Sequence, residues 1–491
     1  MKNFEHVRIL FKEIFKEHSL ANKIYFVGGC VRDYLRGKDP HDIDLVIEEN
    51  YGSMKFTKFL HEKLKHKTTE PFRLGHYPIW SITFTENFEF HGIFFPIKDF
   101  TIEVADTMKE EFHDKNSRQR HTKFASLAED ILRRDFSVNS GLMNLNGDLV
   151  YPNGINKDLI KDIQKGIIKC NDGVDKDKIF SDDPLRMIRA AVFATRFNWE
   201  IEKDTIDAII RNADRIKIVA EERIIREISK VVNISQGMYK FIVKLDELNL
   251  LDKIFPDIYH QKEIKQQPDI RGIHIEGETV YHHTLCVLKN AKPGLVNSLA
   301  ALFHDVGKNE KTREEVDGKV RFIGHEFLGK RMAWNILHQM KFPHDIIKDV
   351  CFLIEKHMLI HMLKDLSDKN IRKFLRNCET EEKRQMLFDL VNADCLGTVC
   401  RWKDGTISPI PLHYEAYDRI NEVLEMDARN AQKPSRIFNG HEIMEALNIK
   451  GKDVGEAIQI MLDVQDEYGL DVDKEFAMKE IKGRFFFNRQ G

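Results

Sequence analysis

The sequence predicts an α+β protein with a mixed head of strands and helices over residues 1–150, followed by a body that is helical almost to its end. Three observations carry this reading. The short apolar run Ile24–Val27 stops at the pair Gly28-Gly29, and residues 79–84 and 100–105 are rich in β-branched and aromatic side chains, as strands are. Beyond the head, apolar residues recur at helical spacing through 184–197, 203–212, 221–233, 238–249, 279–290 and 296–304, then 325–340, 345–361, 367–376 and 380–395. Finally, 491 residues, 42% of them hydrophobic, give room for about three cores at ~150 residues per domain.

Composition excludes several classes. No run of ~18 apolar residues occurs, so no membrane association is expected. The N-terminal stretch MKNFEHVRILFKEIFKEHSL is charged throughout and reads as an amphipathic helix, not a secretory or transit signal. The net charge of −3 excludes a uniformly basic nucleic-acid coat, so any RNA must be held by local basic patches. Seven dispersed cysteines (Cys30, Cys170, Cys286, Cys351, Cys378, Cys395 and Cys400) form no CxxC pair and point to reduced thiols in the cytoplasm.

The most informative stretch is Tyr25 to Ile47, YFVGGCVRDYLRGKDPHDIDLVI. Side chains alternate along a strand, so Asp42 and Asp44 are expected on one face with Ile43 buried between them. Adjacent carboxylates repel, and a divalent cation relieves them, which makes both candidate Mg²⁺ ligands. Gly28 and Gly29 let a turn approach a phosphate closely, and Arg32 offers a phosphate clamp. An Asp-x-Asp alone also occurs on solvated strands; the ordered combination is the signal.

In this combination the chain resembles the class II tRNA nucleotidyltransferases and the related bacterial poly(A) polymerases. The resemblance implies a polymerase-β-like nucleotidyltransferase head and a two-metal, template-independent transfer of nucleotides to an RNA 3′ end. It also makes Glu103, on the 100–105 strand, a third catalytic carboxylate; by pattern alone Glu103 is a solvent-facing strand position. Arg133-Arg134-Asp135-Phe136-Ser137-Val138-Asn139 resembles the family's RRDFTxN motif. Its arginines suit bidentate phosphate contacts, and Asp135 and Asn139 can orient them or meet the sugar. Ser181-Asp182-Asp183-Pro184-Leu185-Arg186-Met187-Ile188-Arg189 resembles the family's EDxxR helix. Asp183 is placed to cap that helix, with Pro184 at its first position. The resemblance makes Asp183 and Arg186 the readers of the incoming base, with Arg189 beside them.

Three departures bear on nucleotide choice: Asp182 stands for Glu, Val192 for a further arginine, and the residues after Glu103 lack an arginine common in the family. Residues 221–227, EERIIRE, resemble a later family helix, to which we assign support and no chemistry. Residues 112–128, with Arg118, Arg120 and Lys123, read as a polar basic loop, either a gate beside the active site or a solvated linker.

A second constellation lies in the body. His283, the pair His304-Asp305 in Leu-Phe-His-Asp-Val-Gly-Lys, and Asp394 combine imidazole and carboxylate, which suits a catalytic divalent transition metal rather than a closed thiolate zinc site. Their order resembles the HD phosphohydrolases, with His325, His357 and His361 available for a second metal. Residues 438–444, with the glycines Gly451 and Gly455, resemble the family's tail; His441 there is expected at the surface.

The chain is thus expected to comprise a catalytic head (1–150), a neck carrying the base-reading helix (151–215), a helical body (216–270), an HD domain (271–425) and a helical tail (426–491). The implied activity is CCA addition to tRNA from CTP and ATP, without DNA. Alternatives within the class are poly(A) synthesis or addition of CC or A only. Complete base-reading residues and the absence of a long basic C-terminal extension favour CCA. The alternative from another class is an HD phosphohydrolase with an RNA-binding head. The sequence itself sets no oligomeric state.

Overall fold

The computed structural model describes residues 3–40, 42–75, 78–111, 121–266, 272–274, 279–316, 319–402, 406–429, 436–469 and 471–487. They form two compact units, one of residues 1–231 with 240–254, the other of 232–239 with 255–491. No helix among the described residues is long and apolar enough to cross a membrane.

The first unit is built on a seven-stranded sheet. Its strands are β1 (Ile24–Val27), β2 (Ile43–Ile47), β3 (Phe72–Arg73), β4 (Ile79–Thr83), β5 (Thr101–Asp106), β6 (Leu142–Asn144) and β7 (Leu149–Val150), in the order β7-β6-β1-β2-β5-β4-β3. All neighbours are antiparallel except β2 and β5, which run parallel. The expected N-terminal helix spans Asn3–Phe15 and buries Phe4, Phe11 and Phe15 against the sheet. Phe15 stacks on Phe56 of the Gly52–Leu64 helix with ring centroids 4.5 Å apart. Burying each such ring stabilises the head by roughly 1.5–3 kcal/mol.

Beyond the sheet the first unit is helical. The Leu185–Phe197 helix buries nearly every residue of its first three turns. The Glu221–Ile228 helix is shorter than the expected 221–233 span. It stops where β-branched Val231 and Val232 and then Asn233 weaken helical preference. The expected polar loop at 112–128 is corrected in part: His121–Phe124 pairs antiparallel with Met108–Glu111, and Ser126 caps the Leu127–Leu132 helix through a reciprocal capping box with Glu129. Lys123 therefore sits on a strand, whereas Arg118 and Arg120 lie outside the described residues.

The second unit packs the helices Val280–Asn290, Leu295–Phe303, His325–Gln339, His344–Ile360 and Glu381–Gly397 against one another. It is not purely helical, because the hairpin Arg313–Val316 with Lys319–Phe322 and a small sheet containing Val399–Trp402 are inserted. The last three helices, Gly440–Leu447, Lys452–Tyr468 and Lys474–Phe487, share a core that includes Ile443, Met461, Ile481 and Phe485. His441 is 79% exposed there, as expected.

One contact positions the His325 helix. Gly307, two residues after Asp305, lies against the backbone of His325 and Gly329, and a Cβ on Gly307 would collide with the His325 carbonyl oxygen. The G307A variant is therefore expected to lose roughly 1–3 kcal/mol of stability in the second unit, the usual cost of overpacking. Denaturant unfolding followed at two wavelengths reads this; unchanged unfolding would show that the backbones do not meet.

Candidate functional site

The register of β2 and β5 sets Asp44 directly opposite Glu103, with Ile43 opposite Ile102 and Leu45 opposite Val104. The four aliphatic side chains are almost fully buried, so period-two alternation sends the two carboxylates to the other face. Asp42 joins them from just outside the strand. The expectation that it occupies a strand position is corrected: β2 starts at Ile43, and Asp42 lies in the preceding bend. Pro40 has no amide to donate, and Asp39 is engaged elsewhere, accepting from the amides of Asn3 and Phe4 at 2.9 and 3.1 Å. Burial pushes Asp44 up to about 6; Glu103 and Asp42 repel its charge, and Arg134 opposes them. Half-buried Asp44 with exposed Asp42 and Glu103 offers carboxylate oxygens of the kind a hard divalent cation takes, though among the described residues they do not form a donor group as close as those of the second unit.

Gly28 turns the chain at φ 79°, a left-handed conformation, and its amide donates to the Gly141 carbonyl at 3.2 Å. The turn and Asp44 open onto a cavity of about 480 Å³. Seven arginines and Lys230 line it against four carboxylates, Asp44, Asp135, Asp183 and Glu227. This is a local cationic patch in a chain of net charge −3.

The structure brings together Gly28, Gly29, Arg32, Arg133, Arg134, Asp135, Asn139, Asp183, Arg186 and Arg189 on that cavity. Arg32 donates to Asn139 Oδ1 at 2.5 Å and to both oxygens of Asp33, and its guanidinium lies over the Phe197 ring at 4.5 Å. Asn139 donates to Asp135 at 3.2 Å, and Arg189 donates to the other Asp135 oxygen at 2.7 Å. Burial would raise Asp135, but Arg189 outweighs it and holds the carboxyl below its usual value. Arg186 donates to the Ile179 and Arg133 carbonyls at 3.1 and 2.6 Å, which ties the Leu185–Phe197 helix to the Arg133-Arg134 motif. That helix begins after Pro184, and Asp183 accepts from Arg223 at 3.1 Å.

Two contributions were missed in the sequence. Asp130 is 1% exposed and accepts from Arg133 at 2.6 Å and from Arg134 at 2.9 Å, aiming both guanidinium groups. Its position three and four residues before the arginines, one helical turn, was the available signal. The supporting helix at residues 221–227 also reaches the cavity, because Arg223 and Glu227 line it and Arg223 pairs with Asp183. Tertiary approach of two helices some forty residues apart in sequence leaves no mark on local periodicity.

The second unit gathers the histidine cluster. His283, His304 and Asp305 form one potential metal-binding group, and Asp305, His325 and His357 form another, so Asp305 is shared. His283 Nε2 lies 3.2 Å from His304 Nε2 and 3.0 Å from Asp394 Oδ1; His325 Nε2 lies 3.4 Å from His357 Nε2. His304, His325 and His357 each direct Nδ1 at a carbonyl, of Ala301, Phe322 and Ile354 at 2.8, 2.7 and 2.7 Å. A carbonyl only accepts, so Nδ1 carries a proton in each and Nε2 faces the cluster; burial disfavours charge on His304, but Asp305 outweighs it and raises its pKa. Burial, reinforced by His325 and His304, pushes His357 down to about 3, which keeps it neutral. Lys308 backs the shared carboxylate at 2.6 Å. His361 lies 4.0 Å from Asp394 and stands outside both groups. This donor set fits divalent transition metals.

Comparison with known proteins follows the same order along the chain. Residues 24–174 match the poly(A) polymerase head domain, residues 198–261 the probable RNA- and SrmB-binding site of polymerase A, and residues 280–393 the HD domain. The chain is 25% identical over 384 residues to the multifunctional CCA protein of Alcanivorax borkumensis, covering 75% of this chain and 83% of that one. In fold it is similar to the Bacillus stearothermophilus CCA-adding enzyme in complex with CTP, with a TM-score of 0.62 at 17% identity and full coverage of both chains. It is also similar to the Thermotoga maritima CCA-adding enzyme complexed with tRNA, with a TM-score of 0.55 at 17% identity, covering 97% and 94% of the two chains.

Sharing of Asp305 sets a metal stoichiometry. In a D42A/D44A/E103A background, which removes the head's three carboxylates, Mn²⁺-loaded protein is expected to hold two ions, with H357A added one and with D305A added none. Elemental mass spectrometry after desalting counts them. A D305A protein that keeps both would contradict the shared ligand.

Proposed function

We infer that a chain carrying a poly(A) polymerase head, the RNA-binding segment that follows it in that family and an HD domain is a tRNA nucleotidyltransferase. It adds CCA to the 3′ end of tRNA from CTP and ATP and releases pyrophosphate. The observation that carries this reading is the cavity that gathers Asp44, which pairs across β2 and β5 with Glu103, with Gly28-Gly29, Arg133-Arg134, Asp183 and Arg186.

In this reading Asp42 and Asp44, with Glu103, hold Mg²⁺. Held there, Mg²⁺ would supply Lewis-acid chemistry for the attacking 3′ hydroxyl and the leaving pyrophosphate. The chain's own groups do the rest. Arg133 and Arg134, aimed by Asp130, hold the triphosphate. Arg32, packed under Phe197 and held by Asn139, fixes the turn at Gly28-Gly29 beside the phosphates. Asp183 accepts from the exocyclic amino group of cytosine or adenine, and Arg186 donates to a ring nitrogen. Arg189, locked to Asp135, couples this helix to the sugar-binding motif. Cysteines that form no disulfide among the described residues support a cytoplasmic enzyme.

The buried histidines gathered around Asp305 favour a second activity, hydrolysis of phosphomonoesters or 2′,3′-cyclic phosphates at the HD cluster.

A reciprocal pair of variants tests the assignment. D42A/D44A is expected to lower nucleotide transfer by at least about 10³-fold, because several kcal/mol of charge stabilisation go with the metal, and to leave phosphohydrolysis intact. H304A/D305A is expected to do the reverse. Loss of both activities in either variant, or persistence of transfer without Asp42 and Asp44, would refute the division of labour.

A further inference from the structure

The residues just before the HD domain are laced to the helix that carries His283. The Val280 amide donates to the Ile264 carbonyl at 2.9 Å and the Tyr281 amide to the Gln261 carbonyl at 3.2 Å, while Lys265 pairs antiparallel with Thr279. The Thr284 hydroxyl donates to Gln261 Oε1 at 3.0 Å. Gln266 follows directly, outside the residues 280–393 that match the HD domain, and its side chain reaches the cluster through Lys308. Lys308 Nζ donates to Gln266 Oε1 at 2.8 Å and lies 2.6 Å from Asp305 Oδ2. An ammonium only donates, so the atom facing it is the amide oxygen, and this fixes the orientation of the amide. Gln266 Nε2 is thereby turned away from Lys308. It is buried, and it meets no acceptor among the described residues. Such orphan donors are rare, because each loses its water without a replacement. This one stands where the cluster opens. The side chains of Lys308 and Asp394 are each 16% exposed, whereas His304, Asp305 and His357 are almost fully buried.

We infer that Gln266 is a substrate-contacting residue of the HD cluster: its Nε2 donates to a non-bridging oxygen of a phosphate ester beside Lys308. The inference rests on the reading of the cluster as a phosphohydrolase. Asp305 and Asp394, as carboxylates, only accept, so the oxygens of an ester must find their hydrogen-bond donors elsewhere on the rim. The amide of Gln266 supplies one that is already desolvated and fixed in direction, which is the condition under which a donor is worth most to a bound anion. Phosphomonoesters and 2′,3′-cyclic phosphates both offer non-bridging oxygens, so the contact serves either class.

The test compares the full-length D42A/D44A/E103A protein, loaded with Mn²⁺, with the same protein carrying Q266L or Q266E. Hydrolysis of p-nitrophenyl phosphate and of 2′,3′-cyclic AMP gives kcat/KM for the two ester classes. Equilibrium dialysis of labelled inorganic phosphate, with and without Mn²⁺, gives the binding that depends on the cluster. Q266E keeps an acceptor for Lys308 and replaces the amide donor by a second acceptor. It is therefore expected to lower kcat/KM by about tenfold or more, at least as far as Q266L does, and to weaken Mn²⁺-dependent phosphate binding, with Mn²⁺ content and thermal unfolding unchanged. A loss confined to one ester assigns the contact to that class. If Q266E keeps the parent's kcat/KM and phosphate binding, Gln266 only positions Lys308 and the inference falls alone. Loss of Mn²⁺ from Q266E would make Gln266 a support of the metal ligands and likewise overturn the contact. If the Mn²⁺-loaded parent hydrolyses neither ester and shows no Mn²⁺-dependent phosphate binding, the phosphohydrolase reading and this inference fall together.

Discussion

Crowding of groups that repel one another is the constraint on which both units depend. In the first, adjacent positions of β2 and β5 set Asp44 beside Glu103, and the bend before β2 brings Asp42 to them. In the second, imidazole Nε2 atoms approach each other to 3.2 and 3.4 Å around one aspartate. The buried histidine–aspartate cluster suits a protein interior only with a cation as its counter-ion, and half-buried Asp44, whose carboxyl is pushed up to about 6, calls for one as well. The surrounding packing, aromatic in the head and helical in the second unit, holds the repelling groups in place.

The cations that answer the first cluster are themselves held in check. Eight basic side chains in one cavity would repel, and Asp130, Asp135, Asp183 and Glu227 are distributed among them. The result is a graded field. Arg133 and Arg134 are steered from behind by a buried carboxylate and keep faces toward the cavity, while Arg186 is consumed in tying two backbone segments together. A net charge of −3 is compatible with a polyanionic substrate because the positive groups are concentrated where chemistry needs them.

Much of this was legible in the sequence. Alternation of small apolar and acidic residues in Ile43-Asp44-Leu45 and Ile102-Glu103-Val104 gave two strands with a carboxylate each, and helical periodicity gave the Leu185–Phe197 and His325–Gln339 helices nearly to the residue. What stayed hidden was tertiary. Asp42 lies outside its strand because Pro40 and the tie of Asp39 to the first helix set where pairing can begin. Lys123 belongs to a hairpin whose polar composition resembles a loop. Arg223 and Glu227 look like an ordinary solvated i, i+4 pair until their helix is seen against Asp183 and Arg189. The sharing of Asp305 between two groups likewise required the helices to be assembled.

Addition of a defined trinucleotide without a template would require the chain's own side chains to choose each base. Incubation with Mg²⁺, CTP and ATP and a tRNA lacking its 3′ CCA, followed by sequencing of the 3′ ends, tests it most directly. The account predicts ends that gain CCA and then stop. A tract of A, or ends left unchanged, would contradict it.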